Sequence, residues 1–105
     1  YSKELFLDNS LFRFVEQGER LMEGDVLFFG AKNLQDFRRL HLTYFTGDYT
    51  EQQLPNLLHC TVIEGGVRIW PFEKFSEYTR YEELYGIKRL QDNLHQTLVI
   101  PTLYI

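Results

Sequence analysis

Apolar and polar positions fall into short blocks along the chain, most of them the length of a strand. Val26-Leu27-Phe28-Phe29 is an unbroken apolar, β-rich run bounded by Asp25 and Gly30, which predicts a buried strand. Residues 40–46 read as a second strand with a polar end, and 57–64 as a third. Gly65-Gly66 between apolar runs predicts a two-residue hairpin turn into a strand at Val67–Trp70. Ile87–Leu90 is a further strand. Thr97–Ile105 is apolar and β-branched but interrupted by Pro101, as in an edge strand or an ordered tail.

The helical signal is weaker. Residues 8–17 are expected to form a helix, capped by Asp8, Asn9 or Ser10 and closed by Gly18 in the left-handed region. Residues 31–39 are polar and read as a loop, and Gly47–Asn56 as a long connection. Pro71 can open a helical turn, and the rings at 72, 75, 78, 81 and 85 recur at near-helical spacing, the pattern of a packing face. The sum is an α+β chain: a short N-terminal helix packed on an antiparallel, meandering β-sheet.

Length and charge narrow the function classes. The 105 residues suffice for one domain, 1–105. Net charge is −4, and the basic pairs Arg38-Arg39 and Lys88-Arg89 are isolated, so nucleic acid is not an expected partner. No run approaches the roughly 20 apolar residues of a membrane helix. The single cysteine, Cys60, cannot form an internal disulfide and reads as a small buried hydrophobe. His41, Asp48, His59 and Cys60 match no common zinc spacing, so no metal site is assigned. His95 lies among polar residues and is expected to be exposed. The chain opens at Tyr1 without Met, as a trimmed chain or fragment would.

Three segments carry candidate chemistry: Glu23-Gly24-Asp25-Val26-Leu27-Phe28-Phe29-Gly30, then His41-Leu42-Thr43-Tyr44-Phe45-Thr46-Gly47-Asp48, then Leu57-Leu58-His59-Cys60 followed by Gly66-Val67-Arg68-Ile69. Their order resembles the NlpC-type family of papain-like murein peptidases. In that family a Gly-Asp-Leu-x-Phe-Phe strand precedes His-Val-Gly-x-Tyr-x-Gly-Asp, an Ile-His-Ser or Ile-His-Ala strand and Gly-x-Val-x-Ile. Ile87-Lys88-Arg89-Leu90 resembles the closing strand with paired arginines, so the likeness runs from about residue 18 to residue 90.

The resemblance implies a papain-like sheet and a cysteine peptidase that hydrolyses amide bonds of peptidoglycan stem peptides, in the cell envelope or secreted, with no cofactor. His41 matches the catalytic base and His59 the polar residue that orients it. A thiol becomes a strong nucleophile when a histidine takes its proton, and a second polar group fixes that histidine's tautomer. The family's Asp-Cys-Ser-Gly is expected upstream of Tyr1, so the 105 residues alone are expected to be inactive. Cys60 follows His59 directly and points to the opposite face of a strand. If Thr43 pairs opposite His59, the two histidines become diagonal neighbours on one face. Leu42 and Thr43 stand where the family has small residues. Leu7-Asp8-Asn9-Ser10 replaces Pro-Arg-x-Ser/Thr, and the loop between the histidines is longer. These departures fit an inactive relative that binds wall peptides or a protein. A sheet face left open by the missing helix segment could be covered by a second copy or a partner.

Overall fold

The computed structural model describes residues 2–91, which leaves His95 and the stretch 97–105 outside the described residues. One α-helix, α1 (Ser2–Leu7), precedes six strands: β1 (Phe12–Phe14), β2 (Val26–Gly30), β3 (His41–Tyr49), β4 (Pro55–Thr61), β5 (Gly66–Pro71) and β6 (Glu83–Leu90). The strands form one antiparallel sheet in the order β1-β6-β2-β3-β4-β5. The α+β class follows directly from a helix packed on this sheet.

The helix lies earlier than its sequence signals suggest. Asp8 does not open a helix; it ends one. Its backbone N–H makes the last helical bond, to Glu4 O at 2.9 Å, and its carboxylate then accepts from the N–H groups of Leu11 and Phe12. A short acidic side chain that captures downstream N–H groups competes with helix continuation. Phe12-Arg13-Phe14 has the period-two alternation of a strand and pairs with Lys88–Leu90. Gly18 (φ 93°) sits in a turn closed by Glu19 N–H to Glu16 O, not at a helix end.

Strand bounds also move. β3 runs on to Tyr49 because Gly47 (φ 92°) lets a bulge absorb two residues, the pairing passing from Phe45↔Leu57 to Tyr49↔Pro55. A larger residue at Gly47 would be strained by the positive φ, and its Cβ would also press on the Glu23 side chain. The connection to β4 therefore shrinks to residues 50–54. β4 ends at Thr61, whose hydroxyl accepts from Ile63 N–H at 3.1 Å. The hairpin into β5 thus has a four-residue turn, 62–65, in place of a Gly-Gly pair. β6 begins four residues before Ile87, at Glu83.

β2 is buried at every position, which explains its lack of alternation. On one face, Leu27, Phe29, Phe45, Leu57 and Trp70 pack under Phe75 and Tyr81. Those two rings come from 3₁₀ turns at Phe72–Glu77 and Thr79–Tyr81. The three-residue spacing of rings 72, 75, 78 and 81 suits a 3₁₀ turn, where i and i+3 eclipse, better than an α-helix. Tyr85 packs with the other layer, beside Val26, Phe28, Leu40 and residues of α1. That helix covers only part of its face. Tyr44, Leu58 and Ile69, directly opposite one another across β3, β4 and β5, stay exposed.

Two buried charges tie the chain's ends to the sheet. Asp25 is 1% exposed and receives Arg89 through two parallel bonds of 2.8 Å, plus Met22 N–H at 2.8 Å. This fork-on-fork pairing joins the β2 entrance to the end of β6. Lys88 is fully buried, donates to the Asp8 carbonyl and lies 4.4 Å from the Phe14 ring centre. Burial lowers its pKa below the ordinary lysine value.

Arg89→Met leaves the Asp25 carboxylate buried without its cation and is expected to cost about 3 kcal/mol in urea unfolding. Arg38→Met, which removes an exposed pair with Asp36, should leave the unfolding midpoint close to that of the parent.

Candidate active site

The ladder between β3 and β4 sets the site. Tyr44 pairs with Leu58 and Phe45 with Leu57, so one further step places Thr43 opposite His59. His41, two residues before Thr43, then falls on the same face as His59. His41 Nε2 and His59 Nδ1 are 2.8 Å apart, a hydrogen bond between rings inclined at 89°. The shared face expected from the sequence is therefore present.

Each ring is held by aromatic neighbours. His41 stacks on Tyr81 at 4.5 Å between ring centres. His59, 3% exposed, has Trp70 at 4.3 Å and Phe75 at 4.8 Å, both steeply inclined to it. Trp70 is anchored in turn by its indole N–H, which donates to Glu64 Oε1, and Lys74 lies over its outer ring face. Glu64 thus holds Trp70 against the His59 ring, which in turn bonds His41.

The tautomers follow from what surrounds His59. Its Nε2 is buried and has no hydrogen-bond partner. Aromatic faces are electron-rich and accept an N–H, whereas they repel a lone pair. The aromatic enclosure thus favours the proton on His59 Nε2 and leaves its Nδ1 as the acceptor. His41 Nε2–H must then donate to His59 Nδ1, and the His41 lone pair resides on Nδ1. Among the described residues that nitrogen has no hydrogen-bond partner, and the His41 ring borders open space.

Burial pushes the His41 pKa down to about 4, helped by repulsion from His59 and Arg80. His59 is also lowered, chiefly by burial, with Glu64 opposing and Lys74 assisting. Both rings are therefore neutral near pH 7, and His41 can accept a proton.

His41 borders two cavities. One, of about 460 Å³, is also lined by Ser2, Leu42, Tyr44, His59 and Cys60. The other, of about 520 Å³, includes Arg39, Cys60, Arg80 and Tyr81. Cys60 is exposed, a correction to its reading as a buried hydrophobe: its alternation with His59 turns it to the outer face. Its Sγ bonds neither histidine, and the residue lines both cavities. Among the described residues, no three His, Cys, Asp or Glu side chains converge as a metal site would require. No described helix is long and apolar enough to cross a membrane.

The sequence singled out both histidines, read Tyr81 only as part of a packing face, and gave Trp70 and the cleft arginines no place at the site. Tyr81 could have been found from the spacing of three in the 72–81 segment; nothing local marks Arg39 or Arg80.

Titration of the His41 ring by NMR should give a midpoint near 4, against an ordinary histidine value of about 6.5. Because the folded pKa lies below the unfolded one, the unfolded chain binds more protons between these values. The contribution of His41 to stability is therefore complete above about 6.5 and lost as pH falls toward 4. Denaturation of the parent and His41→Phe across this range checks the sign: the parent should lose stability relative to the variant as pH drops.

No family model matches the chain, and no curated protein or solved structure is similar enough to count as a match.

Proposed function

We propose that this chain carries the base and the orienting residue of a papain-like cysteine peptidase site acting on peptidoglycan stem peptides in the cell envelope or outside the cell. The observation that carries this reading is the 2.8 Å bond between His41 Nε2 and His59 Nδ1, at a ring that lines two cavities. In this reading the nucleophilic cysteine comes from upstream of Tyr1.

The chemistry then runs through residues in hand. His41 Nδ1 takes the proton from the thiol while Nε2–H stays on His59. The thiolate forms a bond to the amide carbonyl carbon, and the carbonyl oxygen takes the negative charge. His41 returns its proton to the departing amine nitrogen as the C–N bond breaks, leaving a thioester. Water adds to the thioester, His41 takes its proton, and the C–S bond breaks to release the acid and the thiol. A pKa near 4 makes His41 a weak base when the cleft is empty. A thiolate at Nδ1 would raise it by direct attraction.

A second reading has its own support. The exposed row Tyr44, Leu58 and Ile69 is a continuous apolar strip of the kind that seats a partner or a second copy. A relative that binds wall peptides or a protein without cleaving them would use such a strip and keep the histidines as structure.

Cleavage of muropeptides by the protein carrying its upstream segment separates the two. His41→Ala should lower kcat/KM by about 10²–10⁴-fold, the usual contribution of a general base. His59→Ala should lower kcat more than it raises KM. Full activity in His41→Ala would remove it from the base role, and absence of cleavage in the parent would favour the binding module.

A further inference from the structure

The cleft in front of His41 has a charge opposite to that of the protein. Net charge is −4, yet the lining of the 520 Å³ cavity contains two guanidinium groups, Arg39 and Arg80, and no carboxylate. Neither arginine is spent on an ion pair among the described residues. The contrast with neighbouring Arg38 is direct, since its Nε and Nη2 both bond the Asp36 carboxylate at 3.0 Å. Arg80 makes only a long contact with the Tyr81 ring, 6.0 Å from its centre. The two cations approach from different elements. Arg39 closes the 3₁₀ turn before β3, and Arg80 lies in the 3₁₀ turn before β6. Ala31, Leu34, Leu40 and Val62 supply the apolar part of the lining.

We propose that Arg39 and Arg80 form an anion subsite that recognises a carboxylate on the bound peptide, placing an acidic residue beside His41. A guanidinium presents paired N–H groups in a plane, the match of a carboxylate, and both arginines are exposed and so open to a ligand. Such a ligand would also neutralise the positive charge facing the His41 ring. The proposal rests on the reading of this cleft as a peptide site, though not on any cleavage.

The test is binding, read by NMR at the His41 ring and at Arg80 Nε. The probes are acetyl-Ala-Glu-Ala-amide, acetyl-Ala-Gln-Ala-amide and inorganic phosphate, each added to the full chain. The glutamate peptide should bind about tenfold more tightly than the glutamine peptide, as expected for a charge-assisted bond over a neutral one. Arg39→Gln and Arg80→Gln should each remove that preference, and added salt should weaken it. Folding of the variants is checked by an unchanged His41–His59 ring signature. Equal binding of the two peptides, or no binding of either, overturns the subsite. Retained preference in both arginine variants overturns the assignment to these residues. Tighter binding of phosphate than of the glutamate peptide overturns the choice of carboxylate. Failure of the peptidase reading shows separately, as selective binding without cleavage by the protein with its upstream segment.

Discussion

The register between β3 and β4 is the constraint on which the rest depends. Side chains alternate with a period of two, so a slip of one residue would send His41 and His59 to opposite faces. It would also turn Phe45 and Leu57 outward, and these are 3% and 0% exposed. Burying an aromatic or leucine side chain contributes about 1.5–3 kcal/mol, so the apolar pair holds the register far more firmly than the histidine bond could. The bulge at Gly47 absorbs the mismatch in strand length beyond this pair and keeps it from spreading toward His41.

The same aromatic layer that closes the core sets the chemistry of the pair. Phe75, Trp70 and Tyr81 exclude water from one side of the rings, which keeps both histidines neutral and fixes the direction of the bond between them. The unpaired His59 Nε2 is the cost, a buried polar atom facing rings instead of a hydrogen-bond acceptor. A core built for stability alone would place an apolar residue there, because an unsatisfied polar group costs about 1–3 kcal/mol. An unpaired buried polar group calls for an explanation, and holding the tautomer of the neighbouring His41 ring supplies one.

Much of the sheet was legible in the sequence because burial leaves a periodic trace. The run at 26–29 marks a strand covered on both faces, and in β4 every second residue is buried while those between are partly or fully exposed. The helix was misplaced because Asp8, Asn9 and Ser10 are cap residues at either end of a turn. Only the tertiary pairing of Phe12–Phe14 with β6 decides between the alternatives. The pairing of Asp25 with Arg89 spans 64 residues and leaves no local signal. The histidine pair could be anticipated because its two strands are adjacent in sequence, so one choice of register fixes it. The arginines of the cleft could not, because they meet only after the segments at 37–39 and 79–81 have folded against strand ends.

The position of His41 explains how one ring can be both buried and available. It is the first residue of β3, at the rim of the sheet, and His59 lies two residues before the end of β4. A histidine in the middle of these strands would be enclosed like Thr43, which is fully buried and gives its hydroxyl to Leu27 O at 3.2 Å. A histidine beyond the strand end would lack a fixed partner. At the rim, the ring keeps a fixed partner in the ladder and still borders the cavities, so under the proposed function tautomer control and access to a ligand come from the same placement. Tyr81 completes the arrangement by stacking on the ring and limiting its rotation. An imidazole so held gives up rotamer freedom on folding, so little further entropy is lost when its open nitrogen takes a proton or a hydrogen bond.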